Sequence, residues 1–166
     1  MPSINNAQSQ QTFGFGEAAT DDQIAGWNID ILPDGTGLPV GSATVQDGKD
    51  LFAILGAPFH GANGEGTDAA PQLVGGIGTL DTDKPVKTVG SYWPYATTIF
   101  DYIRRAMPAS APQSLTPNEV YALTAWVLWA NGIIEEDAVI DQDTLPKIVM
   151  PNAEGFTSPD PRPDVP

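Results

Sequence analysis

The chain contains one histidine, His60, set in Gly56-Ala57-Pro58-Phe59-His60-Gly61 between an apolar stretch and a glycine-rich one. Imidazole serves as a base, a proton shuttle or a metal ligand, although a lone histidine is more often structural. Most of that chemistry needs a partner that the sequence lacks. There is no cysteine, which excludes a thiolate metal site, a cysteine nucleophile and a disulfide. No second histidine, G-x-S-x-G elbow or H-E-x-x-H motif supports a hydrolase. Gly61-Ala62-Asn63-Gly64-Glu65-Gly66 lacks the Lys-Ser/Thr ending of a phosphate-binding loop, and Asp81 with Asp83 reads as a solvated turn rather than a calcium loop. Haem ligation asks for less, because one imidazole and one thioether across an apolar slot hold the iron. Of the three methionines, Met107 and Met150 lie in loop-like sequence and suit that role, against the usual use of methionine as core filler.

Short helices are predicted around these residues. Thr20 and Gln23 have capping-box spacing, which starts a helix over Asp21 to Trp27. Ile29 to Leu32 is a short extended run stopped by the turn Pro33-Asp34-Gly35. Thr44 and Asp47 cap a second helix with Val45, Leu51, Phe52 and Leu55 on one apolar face, ending near Gly56 and Pro58. Residues 56–80 read as a long ordered loop of the kind that usually carries function. A third helix runs from Thr97 or Thr98 to Ala106 and is closed by Pro108. The clearest begins at Thr116-Pro117-Asn118-Glu119, buries Val120, Leu123, Val127, Leu128 and Trp126, and ends at Asn131-Gly132. Beyond it an acidic, proline-rich tail carries one compact signal, Leu145 to Phe156, and at the other end Phe13 and Phe15 are expected to anchor the N-terminal arm to the body.

The 166 residues suffice for one core, and 17 glycines with 16 prolines favour short elements joined by long loops over a long-helix bundle. A formal charge of −14 repels nucleic acid and anionic membranes, so a basic partner is the natural counterpart. No apolar run approaches the length of a membrane span. Met1 to Thr12 is polar and unlike a signal peptide, so the expectation is a cytoplasmic protein or one whose leader has been removed.

The run Val45 to Gly66 resembles the first helix and haem-attachment motif of class I cytochromes c, in which C-x-x-C-H-G follows a helix. Pro71-Gln72-Leu73 resembles that family's P-x-L segment, whose backbone carbonyl orients the ligand histidine. Val89 to Thr98, Asp101 to Pro108, Leu115 to Ile134, and Leu145-Pro146-Lys147 through Met150-Pro151-Asn152 are similar to the cytochrome subunit of bacterial sulfite or sulfane dehydrogenases, as is the arm from Phe13 to Pro39.

The resemblance implies an all-α fold, a small cytochrome c-like bundle of short helices with long ordered loops around a haem slot. It divides the chain into an N-terminal arm (1–39), the cytochrome c-like domain (40–134) and a C-terminal extension wrapping it (135–166). It implies an electron-transfer rather than a catalytic subunit, a molybdenum-containing dehydrogenase partner, a basic electron acceptor and a periplasmic location. His60 would be the proximal iron ligand and Pro71 its orienting carbonyl. Met107, 47 residues beyond His60, is favoured as sixth ligand, with Met150 as the alternative. Tyr92 and Trp93 would line the propionate edge, with Arg104 or Arg105 neutralising it or forming a docking face. The chain departs from the family where it matters most. Gly56 and Phe59 occupy the positions of the two attachment cysteines, and Ala153 stands where the family has arginine after Met-Pro-Asn. Without thioether links, either haem is held non-covalently by histidine and methionine, or the domain is a haem-free structural or interaction subunit. A small-molecule module using the vacated slot is a third option.

Overall fold

The computed structural model describes residues 15–157, so Phe13 lies outside the described residues. The element order is α1 (Asp21–Trp27), β1 (Ser42–Thr44), α2 (Val45–Leu55), α3 (Ala57–His60), α4 (Val89–Tyr92), α5 (Ala96–Ala106), α6 (Pro117–Ala130), β2 (Val139–Asp141) and a 3-10 turn, Leu145–Lys147. Reciprocal capping boxes start α1 (Thr20, Gln23), α2 (Thr44, Asp47), α4 (Thr88, Ser91) and α6 (Thr116, Glu119), each satisfying backbone N–H groups that a helix start leaves unpaired.

The core forms where α2, α5 and α6 meet. Residues Val120 to Leu128 of α6 are all buried, so this helix is apolar on every side rather than on one stripe, as its central place against α2, α5 and both strands requires. Phe52 of α2 stacks on Trp126 with ring centroids 3.4 Å apart, and Phe100 of α5 meets Tyr121 at 4.5 Å. The α2–α6 crossing depends on Gly48, where an added Cβ would lie 2.0 Å from the Ala122 carbonyl oxygen and 2.8 Å from the Trp126 Cβ. Tyr121 donates its hydroxyl proton to the Pro39 carbonyl at 2.9 Å, and burial, the largest cause, with nearby Asp141 and Asp143 pushes its pKa up to about 12.

The molecule is mostly helical, but not all-α. β1 and β2 pair antiparallel with Ser42 opposite Asp141, Ala43 opposite Ile140 and Thr44 opposite Val139. The chain entering α2 thus lies beside the chain leaving α6, and pairing satisfies both backbones; three residues per strand are too few to leave an alternating pattern in the sequence. The predicted loop 56–80 contains the one-turn helix α3, and α4 is a further short helix capped by Thr88. Residues 135–157 do more than wrap the domain, since Ile140, Leu145 and Met150 belong to the same core as α2, α5 and α6.

The N-terminal arm is held differently from the expectation. Phe15 is 92% exposed and anchors nothing, and α1 buries no residue. The arm is tied instead from residue 29 onward, where Ile31 and Leu38 pack against the core, Pro39 accepts from Tyr121, and Ile29 and Asp30 meet α5. Arg104 reaches the Ile29 carbonyl at 3.5 Å, and Arg105, itself held by Asp101 at 2.9 Å, bonds Asp30 at 2.7 Å. Among the described residues no helix is long and apolar enough to cross a membrane.

Candidate functional site

His60 is placed by a chain of backbone bonds. α2 closes with the Gly56 N–H on the Phe52 carbonyl, and α3, with Pro58 in its first turn, carries the chain through one more turn to His60. Gly61 then takes a positive φ of 83°, a left-handed conformation that glycine adopts freely. The following loop folds back on this turn. The Gly66 N–H bonds the His60 carbonyl at 2.7 Å, the Leu73 and Val74 N–H groups bond the Gly64 carbonyl at 2.8 and 3.1 Å, and the Thr67 hydroxyl bonds the Phe59 carbonyl. Pro71 is thereby delivered to the imidazole, with its carbonyl 2.8 Å from His60 Nδ1. A carbonyl only accepts, so Nδ1 carries the hydrogen and Nε2 keeps the lone pair a metal would use.

Asn131, at the end of α6, pins the far side of the loop. Its side-chain oxygen accepts from the Gly75 N–H at 2.9 Å, and its amide donates to the Leu73 and Val127 carbonyls at 3.2 and 2.9 Å. Loop, α2, α5 and α6 together enclose a largely apolar cavity of about 480 Å³. Leu73, Ile99, Ile103, Leu123 and Val127 supply apolar wall. Trp93 sits at one side, edge-on to Tyr102 at 5.5 Å.

Of the residues singled out in the sequence, Gly56, Phe59, His60, Pro71, Trp93 and Met107 line this cavity. The other four do not. Met150 is buried in the core at 2% exposure beside the 3-10 turn, away from the cavity wall. Tyr92 turns toward Phe156, 5.2 Å away, and its carbonyl accepts from Asn152. Arg104 and Arg105 are committed to the N-terminal arm. The methionine alternatives therefore separate: Met107, which follows α5 directly, shares the cavity with His60, and Met150 does not.

At Gly56 an added Cβ would come within 2.3 Å of the Phe52 ring, so a side chain there must displace the ring stacked on Trp126. Phe59, 47% exposed, covers the cavity edge next to His60. Among the described residues no three His, Asp or Glu side chains gather as a metal cluster. The available donors are one imidazole, oriented by a carbonyl, and one thioether. That set, with apolar walls, suits a flat macrocycle bearing an axially ligated iron.

No family model matches the chain, and no curated protein does. Among solved structures it matches a chain in the crystal structure of the sulfane dehydrogenase SoxCD from Paracoccus pantotrophus, with 45% identity and a TM-score of 0.84 over 91% of this chain and 74% of that one. This chain belongs to the family of that SoxCD subunit. The cavity also includes a residue with no spacing rule to reveal it beforehand. Lys87, in the stretch before α4, is the one lysine or arginine that lines it among the described residues. Asn131, read from sequence only as a helix stop, is the loop clamp.

Proposed function

We propose that the chain is an electron-transfer subunit of a sulfur-oxidising dehydrogenase, holding haem between His60 and Met107 without thioether links. The observation that carries the reading is the 2.8 Å contact of His60 Nδ1 with the Pro71 carbonyl, in a cavity to which Met107 also contributes. Membership of the SoxCD subunit family supports the sulfur-oxidation setting. When bound, haem supplies a one-electron couple, and His/Met ligation raises its potential. The protein's part is positional. The Pro71 carbonyl fixes the imidazole plane and takes the Nδ1 hydrogen, the chain leaving α5 presents the Met107 thioether, and Leu73, Ile99, Leu123 and Val127 keep water from the slot. With no cysteine in the chain, His60, Met107 and the apolar lining would hold the group without a covalent link. In this role the partner is a molybdenum-containing dehydrogenase subunit, the acceptor a basic protein attracted by the charge of −14, and the compartment the periplasm.

Titrating hemin into the purified chain tests this. The expected result is a stoichiometric Soret band of a low-spin ferric haem that sharpens on dithionite reduction, is lost in His60→Ala, and gives a b-type pyridine haemochrome. The second reading is a haem-free interaction subunit, favoured by Phe59 beside His60 at the position of an attachment cysteine. No spectral change at micromolar hemin establishes it in place of the first.

A further inference from the structure

We infer that Lys87 is the anchor for an anionic group in this cavity, taking the ionised carboxylate of an apolar ligand, which on the proposed function is a haem propionate. The inference rests on that reading for the ligand's identity but not for its chemistry.

Carboxylate binding needs a local cation here more than in most proteins, because 21 acidic residues against seven Lys and Arg leave the chain at −14 and repel an anion over most of its surface. Among the described residues Lys87 is the only lysine or arginine lining the cavity. The two arginines expected to neutralise a propionate are used elsewhere, Arg105 on Asp101 and Asp30, and Arg104 on the Ile29 carbonyl. Lys49 is paired with Glu136, whereas Lys87 makes no ion pair among the described residues.

Its backbone position is firmly held. Next to it, Thr88 is buried and caps α4, bonding the Gly75 carbonyl through its hydroxyl at 2.6 Å and taking part in a reciprocal box with Ser91. The ammonium lies 4.9 Å from the centre of the Tyr92 ring, a cation–π contact that restrains a long side chain without consuming its charge. Tyr92 thus acts on the anchor rather than on the cavity wall. The other polar groups packed nearby, Thr88 and Ser91, are uncharged and bonded to one another. The ligand class that follows is an apolar body seated against Leu73 and Val127, with a carboxylate emerging at the lysine edge.

The test measures hemin affinity by Soret titration at low ionic strength for the full chain and for Lys87→Gln, Lys87→Arg and Lys84→Gln; Lys84 is exposed and does not line the cavity. Lys87→Gln is expected to weaken hemin binding roughly two- to fivefold, the range for an exposed ion pair, with Lys87→Arg near wild type and Lys84→Gln unchanged. Hemin dimethyl ester, which has no ionised carboxylate, should bind wild type and Lys87→Gln alike. Equal hemin affinity in wild type and Lys87→Gln overturns the assignment while leaving the proposed function intact. If wild type takes up no hemin, the proposed function fails. The anchor is then decided by palmitate displacing an apolar dye: weaker displacement in Lys87→Gln supports it, and equal displacement overturns it.

Discussion

Replacing Gly48 by alanine sets two physical effects against each other, and the structure decides the sign. Gly48 lies inside α2, where alanine is favoured over glycine by about 1 kcal/mol of helix propensity. Taken from the sequence alone, the substitution should stabilise. In the fold, the new Cβ would lie 2.0 Å from the Ala122 carbonyl oxygen and 2.8 Å from the Trp126 Cβ. Neither atom can swing away, since one is backbone and the other is the root of a buried side chain. Restoring a contact of about 3.4 Å requires α2 and α6 to part by about 1.4 Å locally, which loosens the Phe52–Trp126 stack. Overpacking of this kind costs about 1–3 kcal/mol, and the upper end applies because both helices must move as bodies. Net destabilisation of about 2 kcal/mol follows, equivalent to roughly 4–8 °C in Tm for a chain of this size. Urea and thermal unfolding followed by circular dichroism measure it. Gly26→Ala in exposed α1, where an added Cβ has nothing within 4 Å, is the control: only helix propensity acts there, so Tm should not fall. If Gly48→Ala matched or exceeded wild-type stability, the close helix crossing would be wrong.

Asn131→Ala removes three hydrogen bonds, two that fasten Leu73 and Gly75 to the end of α6 and one to the Val127 carbonyl that holds the side chain in place, at about 0.5–1.5 kcal/mol each. Unfolding should register a loss of about 2–4 kcal/mol, and hydrogen exchange at the Gly75 amide should accelerate; an unchanged Gly75 rate would show that the loop holds itself. Stability should also fall in acid. The Thr44 hydroxyl and then its N–H hold the Asp47 carboxyl below the usual range, and the Thr116 N–H and then its hydroxyl do the same for Glu119. Folded pKa values below the unfolded ones, about 3.9 and 4.3, mean that this stabilisation is complete above those values and disappears as pH falls through the lower folded ones. Urea midpoints between pH 6 and pH 3 should therefore drop less steeply in an Asp47→Asn/Glu119→Gln variant, and an undiminished slope would place the acid sensitivity elsewhere.

Several features were legible because they are local. Helix starts depend on a hydroxyl and an acceptor three residues apart, so Thr20, Thr44 and Thr116 marked α1, α2 and α6 at their observed first residues. The special setting of His60 was visible too, because a lone imidazole between a helix and a glycine-rich loop is a matter of residue type and order. The absence of cysteine alone excludes covalent haem attachment. The one-turn helices α3 and α4 escaped the reading, since four residues are too few for any period to show.

What remained for the tertiary structure was every question of which distant residues share a space. In sequence Met107 is favoured over Met150 without excluding it, and only the packing of the C-terminal segment sends Met150 into the core while Met107 stays at the cavity. The arginine pair looks like a cavity cation in sequence, yet the fold spends Arg104 and Arg105 on the arm and leaves Lys87 at the cavity. Pairing of β1 with β2 joins segments almost a hundred residues apart, a contact whose loop-closure entropy is repaid only once α6 is buried between them. Residue types and local spacing thus determined where helices begin and which chemistry is possible, whereas long-range burial decided which of the competent side chains meet.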